Sequence, residues 1–218
     1  WTRVTRVAAS WTPGGWREAG EILAGDRVLA AEPKLLSDQQ TQVVLGSLLG
    51  DGNLSPNRDD RNGVRFRLGH GPRQHTYLDW KTSLLGNIAR SVRVDGRGAK
   101  FVDFTPLPEL HELQESMYIG DRKVVSEDYL KALTPLALAV WYCDDGSFTV
   151  RSEGRQQRTA GGSGRIEICV EAMSEGSQVR LRDYLRDVWR VEARLHRRGR
   201  AQNAFLTFTT ESSARFQM

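Results

Sequence analysis

The chain has 218 residues, 39% apolar and 27% charged, with 31 basic against 27 acidic side chains and a net charge of +4. These proportions exclude wholesale disorder and collagen-like or coiled-coil composition, and no apolar run reaches the roughly 20 residues that cross a bilayer. The length suits one large domain or two fused half-size copies, and two cysteines at no metal spacing, Cys143 and Cys169, fit a reducing compartment.

In chain order, residues 1–33 carry Pro13, Gly14-Gly15 and Pro33 and read as turns and a linker, separate from the rest of the chain. With Trp1 first and no leader pattern, the chain is expected to be a fragment or processed piece. Ser37 three residues before Gln40 is a capping-box signature. It predicts a helix through Val44-Leu45-Gly46-Ser47-Leu48-Leu49-Gly50 that stops at Asp51-Gly52, where glycine is expected in a left-handed turn. After Asn62-Gly63, Val64-Arg65-Phe66-Arg67-Leu68 alternates strictly, predicting a strand with one apolar and one basic face. A helical pattern near 74–88, a strand near 101–105 and a helix near 109–118 come next. Thr134-Pro135, with proline at the first helical position, then opens Leu138-Ala139-Val140-Trp141-Tyr142-Cys143-Asp144-Asp145-Gly146, a second Asp-Gly helix end 94 residues after the first. Behind it come Ser147 to Val150, an Arg- and Gly-rich connection, the alternating Arg165 to Val170, a helix near 178–189, and strands near 193–197 and 205–209. The chain therefore reads as an α+β protein of two copies, 34–132 and 133–218, the second C-terminally incomplete.

One Asp-Gly is a commonplace turn, but two at matching places carry a common implication. A helix C-terminus presents unpaired carbonyls and partial negative charge, so an aspartate there calls for a cation. A hard divalent ion takes carboxylate and carbonyl oxygens and leaves room for a phosphate oxygen. Gly46, Ser47 and Gly50 in one helix and Ala137, Ala139 and Cys143 in the other are small enough for two parallel helices to approach closely. That would bring Asp51 and Asp145 together at a pseudo-twofold axis. From Ser147 onward there are 13 arginines, no lysine and eight acids, a local surplus of +5 that suggests a polyanion partner.

These two helices resemble the paired motifs of a two-repeat, monomeric LAGLIDADG homing endonuclease, although Trp141 and Cys143 depart from the motif's middle. The resemblance implies two pseudo-symmetric αββαββα repeats, each with a curved antiparallel sheet in the major groove of double-stranded DNA. It implies cleavage of one phosphodiester per strand with short 3′ overhangs. Asp51 and Asp145 would bind metal, with the oxygens of Gly50 and Asp144 completing the ligands. Mg²⁺ is the implied cofactor, Mn²⁺ a substitute, and Ca²⁺ a support for binding without cutting. His70 matches the polar residue that orients water, with Glu171 the nearest second-copy candidate. Lys100 or Arg97, and Arg197 or Arg198, match basic residues near the scissile phosphates. For DNA contact the candidates are Arg65, Arg67 and Arg97 in the first copy and Arg151, Arg155, Arg158, Arg165, Arg194, His196 and Arg197 in the second, since arginine suits guanine edges and phosphates.

Residues 15–28, from Gly15-Trp16 to Gly25-Asp26-Arg27-Val28, resemble part of an intein splicing domain, which implies an endonuclease embedded in an intein. No Cys or Ser nucleophile opens the chain and no His-Asn closes it. The expected location is the bacterial or archaeal cytoplasm, at the nucleoid when DNA is bound. A catalytically inactive DNA- or RNA-binding module of the same fold, a regulator or maturase, is the alternative. A carboxylate-pair hydrolase of sugars or peptides needs two differing carboxylate environments, which a repeated motif does not suggest.

Overall fold

The computed structural model describes residues 9–12, 15–24, 35–56, 64–120, 122–150, 164–199 and 203–217. Arg151, Arg155 and Arg158 lie outside these residues. The chain divides into two units, Trp1–Leu35 and Leu36–Met218. In the first, strands β1 (Ala9–Thr12) and β2 (Gly15–Glu18) form an antiparallel hairpin with Trp11 opposite Trp16.

The second unit holds both copies. Helix α1 (Asp38–Leu49) starts where the capping box places it: the Gln40 amide donates to Ser37 Oγ, and the Ser37 amide donates to Gln40 Oε1. Next in the first copy are strands β3 (Asn53–Pro56) and β4 (Val64–His70), helix α2 (His75–Leu85), strands β5 (Ala89–Val94) and β6 (Lys100–Phe104), and helix α3 (Pro108–Met117). A short hairpin, β7 (Tyr118–Ile119) and β8 (Arg122–Lys123), and helix α4 (Glu127–Lys131) lead to α5 (Pro135–Asp145). The second copy continues with β9 (Gly146–Val150), β10 (Gly164–Cys169), α6 (Glu175–Trp189), β11 (Ala193–Arg198), β12 (Asn203–Phe208) and α7 (Thr210–Phe216). The β1–β2 and β7–β8 hairpins, α4 and α7 are additions to the elements expected from sequence, and α7 occupies the place in its copy that α3 occupies in the first.

Both sheets are antiparallel with one topology, β3-β4-β6-β5 and β9-β10-β12-β11. Alternation explains their sidedness: Val64, Phe66 and Leu68 are buried while Arg65 and Arg67 are half-exposed. In β10, Ile166 and Ile168 are likewise buried and Arg165 and Glu167 half-exposed. Apolar faces of both sheets join the helices in one continuous core that includes Val44, Leu48, Phe66, Trp141, Ile168 and Leu206.

The seam of this core is the α1–α5 contact. A Cβ on Gly46 would lie 2.3 Å from the Ala137 carbonyl oxygen and 2.8 Å from Val140 Cβ, and one on Gly50 would lie 2.5 Å from Asp144 Cβ. Since rising numbers on α1 meet rising numbers on α5, the helices run parallel and end side by side. Gln42 reinforces the seam by accepting from the Thr134 amide and hydroxyl, both at 2.9 Å, and donating to Ala132 O. The glycines after the aspartates correct one expectation, because neither Gly52 nor Gly146 has positive φ. Each is required by crowding instead: a Cβ would meet Ser47 O at 2.6 Å or the Tyr142 ring at 2.2 Å.

Gly46→Val should therefore destabilise the protein by about 3 kcal/mol or more through overpacking against fixed backbone. Gly176→Ala in α6, where an added Cβ meets nothing within 4 Å, should be neutral or stabilising by up to about 1 kcal/mol. Urea denaturation of both variants measures this; equal midpoints would mean that α1 and α5 are not in backbone contact.

Candidate active site and nucleic-acid interface

Three carboxylates meet where the two helices end. Asp51 follows the Gly50 cap of α1, while Asp144 and Asp145 form the last turn of α5. The Asp144 side chain is fully buried and turns across the seam, into the space that Gly50 leaves open. Its Oδ1 accepts from Lys81 Nζ at 2.7 Å, and its Oδ2 accepts from the Asp51 amide at 3.4 Å. Asp51 is 41% exposed at its side chain, which leaves it open to a ligand from solvent.

His70 stands between them. It has the parity of Phe66 and Leu68, so β4 sends it toward the helices instead of onto the arginine face. Nδ1 lies 3.4 Å from Asp51 Oδ2 and Nε2 lies 3.6 Å from Asp144 Oδ1. Both nitrogens are buried without a hydrogen-bond partner among the described residues. Asp51, His70 and Asp144 offer ligand atoms within 4.8 Å of one another, a grouping able to hold a metal ion.

Two buried lysines, neither anticipated from the sequence, act on these carboxylates. Lys81 belongs to the buried stripe Leu78, Lys81, Leu85 of α2 and sits over the Tyr77 ring. Lys123, on β8, donates to the carbonyls of Gly50 at 2.6 Å and Gly52 at 3.1 Å, so it supplies a cation to the C-terminus of α1. Both cations thus come from outside the two motif helices. Lys81 could have been suspected as a lysine within an apolar helical stripe, whereas nothing local to β8 marks Lys123.

The electrostatic balance stays negative. Burial, with Asp51 and Asp144 nearby, pushes the Asp145 carboxyl up to about 7. Burial and Asp144 also raise Asp51. Burial pulls both lysine ammonium groups down, opposed by the aspartates, and burial together with Lys81 lowers His70. Three carboxylates against two lysines, with oxygen donors and orphaned imidazole nitrogens beside them, fit a hard divalent cation.

Of the other candidates, Arg65 and Arg67 share the solvent face of the first sheet with Phe101, Asp103 and Arg93. Arg67 donates twice to Asp103, at 2.6 and 2.9 Å. Arg93, which no sequence pattern singles out, lies 4.4 Å over the Phe101 ring. On the second sheet, Arg165, Arg194 and His196 line one cleft of about 180 Å³ with Thr207. Arg198 is engaged in a bidentate pair with Glu167 at 2.5 and 2.8 Å. Arg197, by contrast, has the parity of Leu195 and pairs with Glu175 of α6 at 2.7 Å. Lys100 pairs with Asp79 of α2, and Arg97 is exposed in the β5–β6 turn. By register the second-copy position matching His70 holds Val170, which is buried, whereas Glu171 is exposed.

The LAGLIDADG DNA endonuclease family profile matches residues 41–216. The chain belongs to that family. The chain is similar to the protein RecA of Mycolicibacterium flavescens, 71% identical over 207 residues, which are 94% of this chain and 49% of that protein. The chain thus spans about half the length of this relative. Among solved structures the LAGLIDADG fold is shared with the homing endonuclease I-WcaI bound to its DNA recognition sequence, at TM-score 0.67 and 12% identity, over 84% of this chain and 80% of that one. It is also shared with I-DmoI in complex with DNA and Mn, at TM-score 0.50 and 12% identity, over 82% of this chain and 94% of that one. Among the described residues no helix is long and apolar enough to cross a membrane.

In this family member, Lys123→Met keeps the aliphatic stem but strips two carbonyls of their donor and three carboxylates of a buried cation. The expected destabilisation is about 3 kcal/mol, against no measurable change for the exposed Lys131→Met. Metal-free urea melts decide it, and coincident midpoints for Lys123→Met and the unaltered protein would show that the ammonium holds nothing in place.

Proposed function

We propose that the chain is a site-specific homing endonuclease that cuts both strands of a long DNA target, and that it is the endonuclease part of an intein lying within a RecA protein. The observation that carries the nuclease reading is the convergence of Asp51 and Asp145 on one seam between two sheets that each present arginines on an open face. The intein reading rests on the resemblance of residues 15–28 to a splicing domain and on the match to about half of a RecA protein. Both copies lie in one unit of a single chain, which supports a monomer with internal pseudo-twofold symmetry acting in the bacterial cytoplasm.

Asp51 and Asp145 would hold divalent cations, with the main-chain oxygens of Gly50 and Asp144 as further donors. Mg²⁺ suits these oxygens, Mn²⁺ would substitute, and Ca²⁺ would support binding alone; the DNA complex of I-DmoI contains Mn. Such an ion, when bound, acidifies water and stabilises negative charge on phosphate oxygens. The protein's own share is positional. Arg65, Arg67 and Arg93 on one sheet and Arg165, Arg194 and His196 on the other would grip the duplex on either side of the seam. His70 would orient water beside Asp51. Hydrolysis forms a bond from the water oxygen to phosphorus and breaks the bond to O3′, leaving a 5′-phosphate and a 3′-hydroxyl. One water proton ends on the leaving oxygen and the other is released. Lys123, Lys100 and Arg198 would offset charge near the phosphates.

The test begins with a target selected from a randomised duplex library and placed on a supercoiled plasmid. Linear product should form with Mg²⁺ and none with excess chelator. Asp51→Asn and Asp145→Asn should each lower linearisation at least about a hundredfold while keeping the fold and Ca²⁺-supported binding. Specific binding without cutting in Mg²⁺ or Mn²⁺ would establish the inactive binding module instead.

Binding should also weaken steeply with salt. If about six phosphates are contacted, log affinity against log salt should slope at about −5. A slope near zero would mean that the sheet arginines are consumed by internal pairs such as Arg67–Asp103 and Arg198–Glu167.

A further inference from the structure

The two ends of the seam are equivalent in backbone and unequal in side chains. On the Asp51 side, His70 is bracketed by Asp51 and Asp144, and Asp144 is tied to Lys81 with both of those side chains fully buried. Tyr77 completes the enclosure: its ring lies edge-on to His70 at 5.3 Å and under the Lys81 ammonium at 4.6 Å, while its hydroxyl donates to Val140 O. The second copy has no such enclosure at the matching register positions. Val170 stands for His70, and the fully buried Leu181 stands for Lys81. Ser177 stands for Tyr77, and its hydroxyl is committed to the Val125 amide. Asp144 itself faces Gly50, which has no side chain to mirror it.

A buried lysine is expensive unless paired, and a buried carboxylate likewise. Here each neutralises the other, and what the pair leaves free is geometry. Asp144 Oδ2 accepts the Asp51 amide and its Oδ1 stands 3.6 Å from His70 Nε2. The pair therefore holds the turn carrying Asp51 and sets a carboxylate oxygen beside the strand-end imidazole. Among the described residues Asp145 has no comparable support: the charges acting on it are the other aspartates, Lys123 and the exposed Glu171.

We infer that Lys81 and Asp144 are positioning residues for one half of the site only, so that the strand served by Asp51 is cut by a centre that depends on His70 and the other strand by a centre that does not. This rests on the endonuclease reading. It adds that the protein contains two unequal cutting centres and names the side chains that make them so.

The experiment uses the selected target on a supercoiled plasmid, with each strand's nick mapped by end-labelling, for the unaltered protein, His70→Leu, Lys81→Met and Asp145→Asn. Both His70→Leu and Lys81→Met should slow one and the same strand about a hundredfold and leave the other within about threefold. Asp145→Asn should leave the opposite strand uncut. A second readout needs no metal or DNA: in ¹⁵N-histidine spectra, Lys81→Met should move the His70 resonances and leave those of His75, His111 and His196 in place. Should Lys81→Met fail to fold, Lys81→Met/Asp144→Asn removes both buried charges together and is held to the same strand bias. Equal slowing of both strands, or an unmoved His70 signal, overturns the inference while the endonuclease reading stands. If the unaltered protein binds the target and never cuts it, both readings fall together.

Discussion

The site depends on backbone contact between α1 and α5. Two helices of ordinary side-chain size pack with axes about 8–10 Å apart, held at that distance by their side chains. Gly46 against Ala137 and Gly50 against Asp144 remove that spacing. Everything unusual about the ends is a result. Asp144 comes close enough to raise the proton affinity of Asp51 and Asp145, and two lysines are drawn in as counter-charges. The stability of the seam and the chemistry of the site are therefore one property seen at two scales.

Much of this was legible in the residues because it is local or periodic. The Ser37–Gln40 capping box, the alternation of Val64 to Leu68 and the repeated Asp-Gly helix ends each declare themselves within a few positions. The illegible part depends on which surface lies across from which. A positive-φ turn and a close backbone approach both demand glycine, and only the packing distinguishes them at Gly52 and Gly146. Lys81 lies in an apolar stripe, but its partner Asp144 is on another helix. Lys123 finds Gly50 and Gly52 through a hairpin too short to have a sequence pattern.

The sheets show a related limit. Arg67 and Asp103 form a bidentate pair on the first open face, Arg198 and Glu167 on the second. By register Glu167 occupies in β10 the position that Arg67 occupies in β4, but Thr207 stands opposite it where Asp103 stands opposite Arg67, so its partner Arg198 comes from β11, one strand further away. Such half-exposed pairs contribute little to stability. Their effect is to hold a guanidinium fork at a fixed angle beside a carboxylate, which gives each open face a distinct pattern of donors and acceptors. A count of arginines along the chain shows none of this arrangement.

Gly50 and Asp144 occupy the same position in the two motifs and face each other across the seam. An assembly of two identical subunits would place either two glycines or two aspartates there. Two aspartates would collide, since even one added Cβ at Gly50 lies 2.5 Å from Asp144 Cβ, and two glycines would leave Lys81 without its partner. The mixed pair requires two copies of different sequence, as the two motifs of this chain are. That difference is what permits a buried, one-sided charge pair on a pseudo-symmetry axis.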